Sequence, residues 1–339
     1  MQKQKIAILT PTFSHFSGID RVVEQQAKEL SGKGNKVVVF ALEADIIPKN
    51  YRVVVLGMPK NHLLQRIYRL LFFLDFKKVK KYSDELKGYD EAISHFYPMN
   101  WIASSAKKKY GTKYTYYNHG IGSPELFENI FERCYMRIFR LLNKLSVRNA
   151  DGAVSVSNFL KNELKKETGL DSRVVYNKID KSRFSKKIDV SPIIKKYSLR
   201  GYRVLLFVGR ISPHKGVHLL IEAFKAVNKK MPNTKLIIAG KPTFESYFKK
   251  LKKSAGDNVI FTGFVDEKDL PRFYSACDVY VTASLWEGYD LPAAEAQISG
   301  KKVVAFDVGA HPEIIKNGIL ARKNDIEGFA GAVLKILSK

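Results

Sequence analysis

Two carboxylates eight positions apart, Glu287 and Glu295, bracket the segment Gly288-Tyr289-Asp290-Leu291-Pro292-Ala293-Ala294. Glu287 precedes a turn built on Gly288. Glu295 falls in the first turn of a helix that Pro292 is well placed to open, because proline at a helix start gives up no bonded N–H. Such a start presents unpaired backbone donors and a partial positive charge, which suit a diphosphate. A carboxylate on either side can accept hydrogen bonds from sugar hydroxyls. The pattern fits a holder for a nucleotide-activated sugar, in which phosphates need donors and hydroxyls need acceptors. Glutamates before turns and within helices are also common on surfaces, so the motif gains weight only in company.

The turn Gly209-Arg210-Ile211-Ser212-Pro213-His214-Lys215-Gly216 supplies some. Arg210 offers a planar fork for phosphate oxygens and Lys215 a point charge. Cations so placed stabilise a departing diphosphate as its charge develops. A solvated basic turn is the plain alternative. The sequence lacks GxxxxGK[ST], which excludes a phosphate loop of the ATPase kind. Near the N-terminus Gly18 follows Thr10-Pro11-Thr12, Ser14, Phe16 and Ser17, and would let backbone approach a ligand at a helix start. This is not GxGxxG, and no acidic residue closes a second strand in a dinucleotide pattern, so a nicotinamide enzyme is disfavoured. His119, before Gly120, sits at a predicted strand's carboxyl end. There it could bond a sugar hydroxyl, support positive charge in the transition state, or be structural. His214 and His218 have i,i+4 spacing, but His214 lies in the turn, which argues against a metal pair. No Asp-x-Asp occurs, so the diphosphate is expected to be neutralised without a metal, by Arg210, Lys215 and helix N-termini.

Alternating elements must position these groups. β-rich runs at Lys5–Leu9, Lys36–Ala41, Arg52–Leu56, Glu91–His95, Lys113–Tyr117 and Gly152–Val156 are separated by predicted helices at Gly18–Ser31, His62–Leu86, Met99–Lys109, Pro124–Asn149 and Asn158–Glu167. A polar, irregular stretch covers Tyr176 to Arg200. Strands then recur at Arg203–Val208, Lys235–Ala239, Val259–Phe261, Val279–Val281 and Lys302–Ala305, with helices near Gly216–Lys230, Phe244–Ser254, Asp266–Ala276 and Pro292–Ser299. This alternation predicts an α/β chain of two doubly wound, Rossmann-like domains, residues 1–180 and 181–339, with parallel sheets. In such sheets ligands bind beyond the carboxyl ends of the strands, so a cleft between the domains would hold one substrate on each side.

Composition sets outer limits. At 339 residues the chain suits two domains with cores of their own. Its net charge of +25 favours polyanions, phosphate-bearing substrates or anionic lipid. The basic residues are scattered in short clusters such as Lys77 to Lys81, and no zinc-finger, recognition-helix or RNP-like pattern supports specific nucleic-acid binding. Cys134 and Cys277 have no metal or redox spacing and are expected to be buried thiols in a reducing compartment. The start reads as a strand, not a signal peptide, and no apolar run approaches a membrane span, so a cytoplasmic location is expected. His62 to Phe73, beside the Lys77–Lys81 cluster, reads as a basic amphipathic helix. It would either lie on an anionic bilayer or pack its apolar side on the sheet.

Together these segments resemble the family 4 glycosyltransferases of the GT-B fold over nearly the whole chain. The matches run in order: the Gly18 loop, His119-Gly120, Gly152 to Phe159, Val175-Tyr176-Asn177-Lys178-Ile179-Asp180 with Phe184, Val208 to Gly216, Ile260 to Val265, the two-glutamate motif, and Gly309 to Ile315 with Asn317-Gly318. The resemblance implies a retaining transfer of a hexose, without a metal, from a UDP- or GDP-linked sugar to a hydroxyl of a glycan or lipid-linked glycan. It implies an N-terminal acceptor side and a C-terminal donor side. Glu287 would contact the transferred sugar and Glu295 the ribose. Arg210 and Lys215 would neutralise the diphosphate beside Gly209, Gly288, Tyr289, Asp290 and Leu291. His119 would reach the donor sugar from the other domain, Gly18 would admit the phosphates, and Val265 would border the base. The departing phosphate would itself take the acceptor proton, leaving no need for a dedicated base. Three departures stand out: Asp290 where glycine is common, Lys178 in place of a hinge glycine, and no further C-terminal crossover helix before Lys339. The competing reading is a catalytically spent protein that binds membranes or polyanions through its charge.

Overall fold

A computed structural model describes residues 3–14, 18–127, 129–184 and 188–338. Phe16 and Ser17 of the Gly18 loop, and the terminal Lys339, lie outside them. The chain divides into two compact units, Met1–Pro124 with Glu128–Asn177, and Glu125–Phe127 with Lys178–Lys339.

The first unit runs β1 (Lys5–Phe13), α1 (Gly18–Gly32), β2 (Lys36–Ala44), β3 (Arg52–Val55), α2 (His62–Leu71), α3 (Phe76–Glu85), β4 (Glu91–Ser94), α4 (Asn100–Tyr110), β5 (Lys113–Asn118), α5 (Ile130–Val147), β6 (Gly152–Ser155), α6 (Asn158–Thr168) and β7 (Arg173–Val174). The second continues with α7 (Ser191–Lys196), β8 (Arg203–Val208), α8 (Val217–Lys230), β9 (Thr234–Ala239), α9 (Glu245–Ser254), β10 (Val259–Gly263), α10 (Leu270–Ala276), β11 (Val279–Thr282), α11 (Leu291–Ile298), β12 (Lys302–Phe306), α12 (His311–Ile314), β13 (Gly318–Ala321) and α13 (Ile326–Leu337). Strand order is β3-β2-β1-β4-β5-β6-β7 in one sheet and β10-β9-β8-β11-β12-β13 in the other. Pairing within both is parallel. Each sheet therefore reverses its winding once, between β1 and β4 and between β8 and β11, where a crevice opens beyond the strand ends.

Residue alternation explains why β8 is central. Leu205 and Phe207 face a core shared with Leu236, Ile238, Val281 and Phe306. Val204 and Leu206, pointing the other way, join Ile237, Ala239, Tyr280 and Val303. A strand buried on both faces needs an unbroken apolar run, and Val-Leu-Leu-Phe provides one.

Four local expectations change. The helix expected over His62–Leu86 is interrupted: α2 ends at Leu71, and Asp75 caps α3 by accepting the Lys78 N–H at 3.0 Å. A short side chain that satisfies a free amide starts a new helix more cheaply than the old one can continue past it. Asn129 likewise caps α5 at the Phe131 N–H, so that helix starts at Ile130 and not at Pro124. The irregular hinge stretch contains α7, with Pro192 in its first turn. Cys134 is exposed on α5, against the expectation of two buried thiols, whereas Cys277 is buried and its thiol is pushed up to about 12 by burial.

The amphipathic segment packs only part of its apolar side inward: Phe72 is buried in the first unit's core and Tyr68 lies against it. None of α2 is buried, and Leu64, Ile67 and Leu71 are exposed. Beside it, α5 exposes Phe131, Ile138 and Leu141. The two helices are joined by a bidentate pair, Arg66 Nη1 to Glu132 Oε1 at 2.8 Å and Nη2 to Oε2 at 2.6 Å, with the guanidinium 4.7 Å from the Tyr135 ring centre. Arg137 is exposed next to Ile138 on α5, and Lys77, Lys80 and Lys81 are exposed on α3.

Because each unit has its own core and one tryptophan, Trp101 or Trp286, damage to one core should be readable separately. Phe207→Ala in a Trp101→Phe background should lower the Trp286 unfolding free energy by about 3–5 kcal/mol in denaturant titration. In a Trp286→Phe background the Trp101 transition should stay in place.

Candidate active site

Loops after neighbouring strands β8 and β11 meet at the switch point of the second sheet. The β8 loop ends in a short 3-10 turn, Pro213–Lys215, and Gly216. Gly216 has φ 62°, and a Cβ there would lie 1.8 Å from the Ala283 carbonyl oxygen, so only glycine lets the loops touch. The contact is fastened by the Leu285 N–H, which donates to the His214 carbonyl at 2.8 Å. It brings Lys215 Nζ to 2.5 Å from Glu287 Oε1. The Glu287 side chain is 9% exposed and that of Lys215 19%. At such burial each charge depends on the other. From the β12 side, Ala310 N–H donates to the Glu287 carbonyl at 3.0 Å. Gly309, φ 55°, sits where a Cβ would come within 2.2 Å of the same oxygen.

Asp290, in the glycine position of the motif, adopts a left-handed conformation, φ 70°. It caps α11, with Oδ1 accepting the Ala293 N–H at 3.1 Å. The helix starts at Leu291 with Pro292 second, so Glu295 is its fifth residue, one step past the expected first turn. Donors expected to be unpaired are partly taken: Ala293 N–H by the Asp290 side chain and Ala294 N–H by its carbonyl. Asp290 Oδ2 lies 3.0 Å from His311 Nε2 at the start of α12, and His311 Nδ1 donates to the Phe306 carbonyl at 2.7 Å. Burial alone would raise the Asp290 pKa, but the hydrogen bond and charge of His311, with the charge of Lys215, hold it below 3.8. Burial alone would lower that of His311, but the bond to Asp290 and the carboxylate charges raise it above 6.5. Glu287, Asp290 and His311 place ligand atoms within 4.8 Å of one another, close enough for a metal ion. Lys215 and His311 already meet these carboxylates.

Glu295 is buried, and Tyr274 Oη donates to its Oε2 at 2.9 Å. Tyr280, whose hydroxyl donates to the Val208 carbonyl at 3.3 Å, feels the charges of Asp290, Glu287 and Glu295, and its phenol is held well above the ordinary range, first by burial. The three carboxylates thus surround one tyrosine. Arg210 is exposed beyond β8 after Gly209. The charges of Lys215 and Arg210 add to burial in lowering His214 to about 3. Gly288 is buried, Tyr289 and Leu291 are half-buried, and Val265, just past β10, packs against the core beneath.

In the first unit Gly18 is exposed at the start of α1, and buried Asp20, two residues on, holds Ser14 just past the end of β1. Its Oδ2 accepts the Ser14 hydroxyl at 2.7 Å and the Ser14 N–H at 3.1 Å. His119 Nε2 lies 2.9 Å from His95 Nδ1, and His95 Nε2 is 2.6 Å from Gln26 Oε1. The amide oxygen can only accept, so His95 Nε2 carries a proton, and its Nδ1 accepts from His119 Nε2. That leaves His119 Nδ1 a lone pair. Burial lowers His119 to about 3 and takes His95 well below 6.5. His119 is thus a neutral ring whose Nδ1 lone pair can accept a hydroxyl proton or face developing positive charge. His311 lies inside the Gly309–Ile315 match without a role assigned to it, and Tyr274, Tyr280 and His95 stand in no motif; only neighbours across the sheets bring the four in.

Comparison with known proteins agrees with this geometry. The model "Glycosyl transferases group 1" matches residues 190–339, and "Glycosyltransferase Family 4" matches 16–183. The chain belongs to the family 4 glycosyltransferases. An uncharacterised glycosyltransferase of Methanocaldococcus jannaschii is 25% identical over 98% of this chain and 88% of its own. Alpha-monoglucosyldiacylglycerol synthase of Streptococcus pneumoniae is 24% identical over 89% of this chain and 70% of its own. The structure of HepE from Anabaena, in complex with UDP and glucose, shares the fold with TM-score 0.82 at 20% identity, covering 99% of this chain and 90% of that one. The glycosyltransferase has the two Rossmann-like units of a GT-B enzyme, and no described helix is long and apolar enough to cross a membrane.

The His311–Asp290 pair gives the glycosyltransferase a signed pH response. A raised histidine contributes stability fully below 6.5 and loses it as pH rises through its folded pKa. A lowered aspartate contributes above 3.8 and loses it as pH falls through its folded pKa. The thermal-midpoint difference between wild type and an Asp290→Asn/His311→Gln double variant should be largest between pH 3.8 and 6.5 and shrink on both sides.

Proposed function

We propose that this glycosyltransferase moves a hexose, with retention, from a UDP- or GDP-linked sugar to a hydroxyl of a glycan or lipid-linked glycan, and that it needs no metal. The observation carrying this reading is the buried Lys215–Glu287 pair at 2.5 Å, set at the switch point beside the start of α11. A diphosphate at that helix start would share Lys215 with Glu287 and draw on exposed Arg210, so cations already present would take the part of a divalent ion. Glu287 would then be released toward the transferred sugar, and Glu295 toward the ribose. Gly209, Gly288, Tyr289, Asp290 and Leu291 would line the donor, and Val265 the base. The departing phosphate would receive the acceptor proton. HepE, which shares this fold, holds UDP and glucose.

A screen of UDP- and GDP-sugars, with hydrolysis and transfer followed by product release, tests this. Glu287→Gln should lower kcat by about a hundred-fold or more. Treatment with a chelator should leave turnover unchanged. Loss of activity that Mg²⁺ or Mn²⁺ restores would overturn the metal-free reading.

The acceptor side would work at an anionic bilayer, on the cytoplasmic face. Support comes from the apolar face of α2 and α5, where Leu63 is 65% and Phe131 80% exposed, on helices that also carry Arg69 and Arg137, in a chain of net charge +25. Exposed apolar side chains on a cationic chain suit an acidic lipid surface. The S. pneumoniae relative is named for a glycolipid product. The enzyme should sediment with phosphatidylglycerol vesicles, less with phosphatidylcholine, and weaken with added salt. Leu64→Asp with Phe131→Asp should abolish sedimentation, and failure to bind either vesicle would sink the proposal.

A further inference from the structure

Asp290 is an awkward residue for a diphosphate site. Its carboxylate stands at the N-cap of α11 in a left-handed conformation that residues with a Cβ seldom adopt, and such outliers persist where the surroundings over-determine them. A free carboxylate there would repel phosphate and occupy the amide that phosphate would use. The structure supplies a counterweight 21 residues further on. His311 is fully buried, and both of its ring nitrogens face acceptors: Nδ1 the Phe306 carbonyl at 2.7 Å, Nε2 the Asp290 carboxylate at 3.0 Å. A neutral imidazole has one N–H, so satisfying both contacts takes the doubly protonated ring. The groups facing the pair are Ala293 N–H on α11, the phenol of Tyr280 on β11, the carboxylate of Glu287, and Lys215 from the β8 loop. His311 enters from the loop that also grips the Glu287 carbonyl through Ala310.

We propose that His311 is a positioning residue for the donor: as an imidazolium it cancels the charge of Asp290 and holds that carboxylate aside, keeping the start of α11 fit for a nucleoside diphosphate. This rests on the donor-site reading given above. Asp290 and His311 then form one unit, and either alone is worse than neither. With His311 replaced, an unpaired buried carboxylate faces the phosphates. With Asp290 replaced by glycine, the histidine relaxes to its neutral form, and the helix start is uncharged.

Calorimetric titration with UDP and, separately, GDP tests the unit in wild type, His311→Gln, Asp290→Gly and the double variant. For whichever nucleotide binds wild type, His311→Gln should bind about ten-fold or more weakly, and the double variant should return to within about three-fold of wild type. Rescue by Asp290→Gly is the telling readout, since a histidine that merely packs would not be replaced by removing its partner. Unchanged affinity in His311→Gln, or weakened affinity that Asp290→Gly does not restore, would overturn the proposal. Should His311→Gln not fold, ¹⁵N NMR of wild type near neutral pH decides: two protonated ring nitrogens are expected, and a singly protonated ring overturns it. Wild type binding neither nucleotide would instead bring down the donor-site reading, and this inference with it.

Discussion

Each of the three buried carboxylates of the C-terminal site faces a proton donor from another element, and that pairing constrains what surrounds it. Glu287 meets Lys215, Asp290 meets His311, and Glu295 meets Tyr274. Removing charge from water costs several kcal/mol per ion unless a partner compensates. Matching Glu287 with Lys215 and Asp290 with His311 ties the loops after β8, β11 and β12 to one another. Gly216 and Gly309 follow from this demand. They sit where backbones must approach within the reach of a Cβ to bring the partners together.

The same pairing bears on the chemistry. A site that waits for a diphosphate with bare cations would have to keep Lys215 unpaired while empty. Here Glu287 occupies the ammonium first. An arriving phosphate exchanges one anion for another at Lys215, so the change in charge at that position is small, and little reorganisation is needed. Arg210 differs: it is exposed and has no ion pair among the described residues, so its charge is at hand for a ligand but screened by water until one arrives.

How much of this could be read from the sequence depended on how far apart partners lie along the chain. β8 and β11 were legible because strands buried on both faces need continuous apolar runs. The Glu287–Glu295 motif and the Arg210–Lys215 turn were legible because their spacing is local. The breaks at Asp75 and Asn129 were missed because a cap is one short side chain in an otherwise helical pattern. His311 was invisible as a partner of Asp290, since what joins them is the adjacency of β11 and β12 and not any spacing. Asp290 itself was recognised as a departure, yet its meaning lay in the second residue.

His119 shows how neighbours settle what a position in the sequence leaves open. A histidine beyond a strand end, next to a glycine, can donate or accept on either ring nitrogen. Its real environment contains another imidazole 2.9 Å away, stacked against Tyr117 at a ring separation of 4.7 Å, with Gln26 closing the chain. Burial holds both rings neutral, so across that contact one nitrogen donates and the other accepts. Gln26 decides which, because its carbonyl oxygen demands the proton on His95 Nε2. The direction of the whole chain is thereby fixed, and its last atom, His119 Nδ1, is an acceptor suited to an O–H group. An amide side chain on α1 thus sets the hydrogen-bonding sense of a residue two strands away, which no reading of charge alone could supply.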